Sequence, residues 1–98
     1  MSKYISTVRF RVKDGQSDEF VARHEAMNIT EATQTYITKT SEKTFAFIGI
    51  FESEQHLMDA RPQMIASLDS VRDLLEEISP DLGVTDVVSG AVVAEIYR

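Results

Sequence analysis

The chain has no cysteine and no tryptophan, and only two prolines and four glycines among its 98 residues. Without cysteine there are no disulfides, no thiolate metal sites and no cysteine nucleophile. Histidine is nearly as scarce, at two residues, and neither His-x-x-x-His nor Glu-x-x-His spacing occurs. No metal site is expected on that ground. No GxGxxG or P-loop pattern is present, so Asp14-Gly15 reads as turn chemistry and not as a phosphate loop. No apolar run approaches the length of a membrane-spanning helix. The opening Met1-Ser2-Lys3-Tyr4-Ile5-Ser6 leads straight into a strand pattern, with no apolar stretch of the kind a secretion signal carries. The expected location is therefore cytoplasmic, with no membrane partner. Positive charge is also short: the net charge of -6 lacks the basic excess that a phosphate backbone selects, which argues against nucleic acid.

What is present is ordinary globular material, 43% hydrophobic and 27% charged, without linker or low-complexity segments. A chain of this length buries roughly 65% of its unfolded surface, enough for one core, and residues 1–98 read as a single domain. Thr44 to Phe51 is the organising stretch. Phe45, Phe47 and Phe51 alternate with Ala46, Ile48 and Ile50, so the strand is apolar on both faces and needs cover on both. The helix that follows can cover one. A second copy of the chain is the most economical cover for the other.

Around that strand the pattern reads β-α-β-β-α-β. Tyr4 to Val12 alternates, with Tyr4, Ser6, Val8, Phe10 and Val12 on one face and Ile5, Thr7, Arg9 and Arg11 on the other. Ser17, Asp18 and Glu19 supply a cap and first-turn carboxylates for a helix with Phe20, Val21, His24 and Met27 on its apolar stripe. Thr33 to Ser41 is a β-branched, polar strand of edge character. Ser53 caps a short helical piece over 54–60; Pro62 predicts a bend, and a second helix follows through Met64, Leu68, Val71, Leu75 and Ile78. Ala91 to Tyr97 alternates again and predicts the last strand. Right-handed crossovers turn this order into an α+β, ferredoxin-like domain: a four-stranded antiparallel sheet with both helices on one face. The bare face carries enough apolar surface that two sheets are expected to pack face to face, closing a dimeric α+β barrel.

At this point the chain resembles the dimeric α+β barrel superfamily, and within it the antibiotic biosynthesis monooxygenase-like domains. The resemblance runs over nearly the whole chain. It rests on Val12-Lys13-Asp14-Gly15-Gln16-Ser17-Asp18-Glu19-Phe20, on Gly49-Ile50-Phe51-Glu52-Ser53-Glu54-Gln55-His56-Leu57, and on Arg61-Pro62-Gln63-Met64. It implies a homodimer and, for an enzyme, cofactor-independent oxygenation of a small aromatic or polyketide-like molecule. A non-catalytic dimer binding a small hydrophobic or anionic metabolite is the alternative of the same fold. The absent tryptophan, and a first strand without asparagine, depart from the haem-degrading members and argue against that activity.

Five residues stand out as site candidates. In the resembling enzymes the pocket lies between helices and sheet, which places His24 to line it and to act as a base toward a phenolic or enolic proton. Asn28, one turn further, and Tyr36 are candidates to orient a ligand. Arg9 and Arg11 share a face of a central strand and can bind a carboxylate or phosphate, or pair structurally with Glu95 and Tyr97 of the last strand. His56 and Arg61, near the start of the second helix, can hold an anion there or simply face solvent.

Overall fold

The computed structural model describes residues 2–96. Along the chain run β1 (Tyr4–Val12), α1 (Ser17–Glu25), β2 (Gln34–Lys39), β3 (Thr44–Phe51), α2 (Glu54–Val71), a 3-10 turn (Arg72–Leu74), β4 (Leu75–Glu76) and β5 (Thr85–Ala91). The sheet order is β2-β3-β1, and β4 and β5 share the remaining edge of β1. Every pairing is antiparallel. This is the ferredoxin-like arrangement, with β1 and β3 central and β2 at an edge.

Alternation sorts the two central strands cleanly. Val8, Phe10 and Val12 from β1 and Phe45, Phe47 and Phe51 from β3 are buried under the helices with Phe20, Leu57, Ala60 and Val71. Phe20 is the pin of this layer: its ring centroid lies 5.3 Å from Phe10 and 4.9 Å from Phe45. Full burial of a side chain of that size contributes about 1.5–3 kcal/mol. Cross-strand register sets Val8 opposite Phe47 and Phe10 opposite Phe45. Gly49 completes the row. A Cβ there would lie 3.0 Å from ring carbons of both Phe47 and Phe51, so the two phenyl rings occupy the space a side chain would need.

Three expectations are corrected, while the phenylalanines of β3 take the helix-covered face. Pro62 does not break α2, which is continuous through it. Its missing N–H leaves the Met58 carbonyl without its helical donor, at a cost of about 3 kcal/mol; burial of Leu57 and Ala60 before it and Val71 after it holds the helix together. Conversely α2 stops at Val71 and not at Ile78. Leu74 and Leu75 are both buried, and the Leu74 carbonyl accepts from Lys13 N as the chain leaves the helix to join the edge of β1. Ser17 is helical and does not cap α1; its hydroxyl donates to the Glu42 carbonyl at 2.9 Å.

The last strand is displaced as well. It is Thr85–Ala91, because β1 ends at Tyr4 and has no partner positions left beyond Ala91. After one further bond, from Val92 N to the Lys3 carbonyl, residues 93–96 are exposed and outside any strand. The expected partners of the arginines change with it. Arg9 sits opposite Asp86 and donates to it through Nε at 2.9 Å and through Nη2, while Glu95 pairs with Lys3 at 3.0 Å. Tyr97 lies outside the described residues.

Candidate functional site

Between the helices and the sheet lies a cavity of about 680 Å³. It exists because the helix layer does not fill the sheet's full width: α1 and α2 meet over β1 and β3, and the side toward β5 is left open. Phe10, Phe47 and Val8 form its floor; Val21, Leu57, Met64 and Leu68 form its helical walls, with Met27 just past the end of α1. Such a volume, mostly apolar with a few polar groups, is the usual form of a small-molecule site.

His24 is one of those polar groups. It stands in the last turn of α1, and its ring packs on Phe20 with centroids 4.3 Å apart. Nδ1 is 3.0 Å from the Phe20 carbonyl. A carbonyl only accepts, so Nδ1 carries the proton of the neutral ring and Nε2 keeps its lone pair. Nε2 has no hydrogen-bond partner among the described residues. Burial pushes the imidazole below the ordinary histidine value, against a weaker upward pull from the Phe20 carbonyl. Both effects are local: the i−4 carbonyl orients the ring, and the aromatic packing dries it. The result is a neutral imidazole with a free basic nitrogen at the wall of an apolar cavity.

The remaining candidates divide. Tyr36 touches the edge of the cavity, but its register partner is Ile48, so its side chain belongs to the bare sheet face, away from His24, and its hydroxyl donates to Gln34 Oε1 at 2.9 Å. Asn28 is exposed and lies outside the cavity lining, in a shallow polar depression next to Tyr36. Arg9 and Arg11 are exposed on the sheet face away from the helices, so they do not meet His24. His56 and Arg61 do not form one site. His56 Nδ1 is bonded to Ser53 Oγ at 2.7 Å, whereas Arg61 lines the cavity.

Two residues of the lining were not singled out by sequence. Ser6 and Ser89 meet across β1 and β5 with their hydroxyls 3.0 Å apart, both on the cavity floor. The signal was visible in principle, since Ser6 interrupts an otherwise apolar face of β1. Among the described residues no group of histidine, aspartate or glutamate is arranged to hold a metal ion, and no helix is long and apolar enough to cross a membrane.

The architecture is thus a ferredoxin-like α+β layer with an internal, histidine-lined cavity. No family model matches the sequence, and neither does any curated protein. Solved structures do match in fold. SnoaB, a cofactor-independent oxygenase from Streptomyces nogalater, superposes with a TM-score of 0.75 over 100% of both chains at 9% identity. A dimeric ferredoxin-like protein from an uncultured marine organism gives 0.74 over 100% of this chain and 94% of that one, also at 9%. A protein provisionally assigned as an antibiotic biosynthesis monooxygenase, from Chloroflexus aurantiacus, gives 0.71 over 98% of each chain at 13%. The chain has the fold of the antibiotic biosynthesis monooxygenase-like, dimeric ferredoxin-like proteins.

Proposed function

We propose that this protein is a homodimer that binds a small aromatic or polyketide-like molecule in the cavity under its helices and oxygenates it without a cofactor, with His24 as the base. The observation that carries this reading is a part-buried, neutral imidazole among the residues lining an apolar cavity of about 680 Å³, with its Nε2 unbonded among the described residues. That volume suits a two- or three-ring molecule. A phenol or enol held there loses its proton to Nε2, and the resulting anion is an electron donor strong enough to react with dioxygen directly. For an activated methylene the balance closes without a reductant: one oxygen atom becomes the product carbonyl, the other leaves as water, and the electrons come from the substrate's own C–H bonds. Asn28 is proposed to contact whatever part of the ligand emerges from the cavity, and Tyr36, on the sheet face it shares with Ile48, to meet only a ligand that reaches between two sheets. The same fold in SnoaB, a cofactor-independent oxygenase, supports the reaction class.

Dimerisation through the bare sheet face is supported by its composition. Ile5, Thr7, Ala46, Ile48, Ile50 and Val88 lie there, with Val88 66% exposed in the single chain. Arg9 and Arg11 flank this patch, and an anionic metabolite between the sheets is the role left to them.

Oxygen uptake with a panel of anthrone- and naphthol-type compounds tests the enzyme. Turnover in the parent protein that falls by about 100-fold or more in His24→Ala, with the dimer intact, supports the mechanism, since a positioned base contributes typically that much. Saturable binding of the same compounds without oxygen uptake would support the non-catalytic binding protein instead. Turnover unchanged in His24→Ala removes His24 from the chemistry.

A further inference from the structure

Ser6 is buried, 1% exposed, on a strand face where its neighbours are Tyr4 and Val8. Among the described residues it is the polar side chain buried to that degree. A hydroxyl in such a place costs free energy unless it is bonded, and Ser89 bonds it at 3.0 Å. That single bond does not satisfy the pair. Two hydroxyls bring two protons, the mutual bond consumes one, and the other has no acceptor among the described residues. Ser89 donates, so the proton left over is that of the buried Ser6. Both residues line the cavity floor, on β1 and β5, away from the helical wall that carries His24.

We infer that the Ser6–Ser89 pair is a second polar subsite of the cavity, donating a hydrogen bond to a carbonyl-type oxygen of the ligand. A free donor is completed by an acceptor, and its mutual bond polarises it toward one. The ligand class follows from having two unlike groups in one apolar chamber. His24 Nε2 asks for an acidic O–H; the serine pair asks for an acceptor oxygen elsewhere on the molecule. A planar hydroxyaryl ketone meets both demands, and a hydrocarbon or a simple phenol leaves the serine proton stranded. The inference rests on the reading of this cavity as an aromatic-ligand site.

The test is calorimetric titration of the intact protein with 6-hydroxy-1-tetralone and with 5,6,7,8-tetrahydro-2-naphthol, which differ only in the ketone. The expected result is that the ketone binds about tenfold more tightly to the parent protein, the worth of one neutral hydrogen bond. That ratio should fall about tenfold in the Ser6→Ala/Ser89→Ala double variant, since either single alanine leaves one hydroxyl with its proton free. The ketone also makes the phenol more acidic, but that effect acts at His24 and survives the serine substitutions. A ratio retained in the double variant therefore overturns the subsite and leaves the cavity reading standing. Failure of the parent protein to bind either compound overturns both. If the double variant does not fold, the carbonyl stretch of the ketone bound to the parent protein decides: it should move to lower frequency than in an apolar solvent, and an unmoved stretch overturns the subsite.

Discussion

The two faces of the sheet are built from the same strands and by the same alternation, yet they do different work. On the helix side β3 contributes Phe45, Phe47 and Phe51, each at or below 9% exposure. On the bare side it contributes Ala46, Ile48 and Ile50, and its neighbours there include Tyr36 of β2 and Arg9 of β1. The first face is large, aromatic and closed within one chain. The second is aliphatic, smaller in side-chain volume and rimmed by arginines, which suits a surface that must remain soluble until a partner arrives. A core can use any shape that packs, whereas an interface between copies must also tolerate water. The cavity lies on the helix-covered face, where partial burial lowers the His24 value; the bare face offers no comparable shelter.

Phe47→Ala and Ile48→Asp, adjacent on β3, break the comparison most directly. Phe47→Ala should lower unfolding free energy by about 3–5 kcal/mol in denaturant titration. Ile48→Asp should leave a folded protomer but convert the dimer to single chains in native mass spectrometry. A parent protein that is itself a single chain would sink the proposed role of the bare face. Gly49→Val comes next, since its branched side chain meets the Phe47 and Phe51 rings at once; overpacking of this kind costs about 1–3 kcal/mol.

Smaller effects sharpen the contrast between dried and solvated groups. Because burial lowers the His24 value in the folded state, the unfolded chain binds the proton more readily. Stability should therefore be full above the ordinary histidine value of about 6.5 and fall as pH drops below it, until the lowered folded value is reached. His24→Gln should flatten that slope in pH-dependent melting curves. His56 lies in the first turn of α2 and its Nδ1 bonds the capping hydroxyl, so the cap is the group to probe there; Ser53→Ala should cost about 1 kcal/mol. Least of all, Arg9→Ala removes an ion pair whose arginine is 64% exposed, and should change protomer stability by less than about 1 kcal/mol.

Sequence reading recovered the elements whose signals are local and repeated. β1 and β3 fall where alternation puts them, and the central position of both follows from connection rules alone. It failed where a tertiary partner decides. Met64, Leu68, Val71, Leu75 and Ile78 fit a helical period, but Leu75 and Glu76 are needed at the β1 edge, and a ladder bond outweighs the period. Val92, Ala94 and Ile96 alternate like a strand, but β1 has run out beside them. At the site, His24 was legible because a histidine on an apolar stripe is rare. Ser6 and Ser89 were not, since 83 residues separate them and only the β1–β5 register brings their hydroxyls together.

That register holds one more consequence. Glu76 pairs with Arg11, and the next residue of β1, Phe10, pairs with Thr85. The edge strand is in effect one strand with residues 77–84 looped out of it, pinched at the neck by Ile78 N to Gly83 O at 2.7 Å. Pro80, Asp81 and Leu82 at its tip are exposed. A reporter peptide or surface-attachment handle spliced in at that tip should ride outside the sheet, leaving the ladder and the chamber beneath it undisturbed.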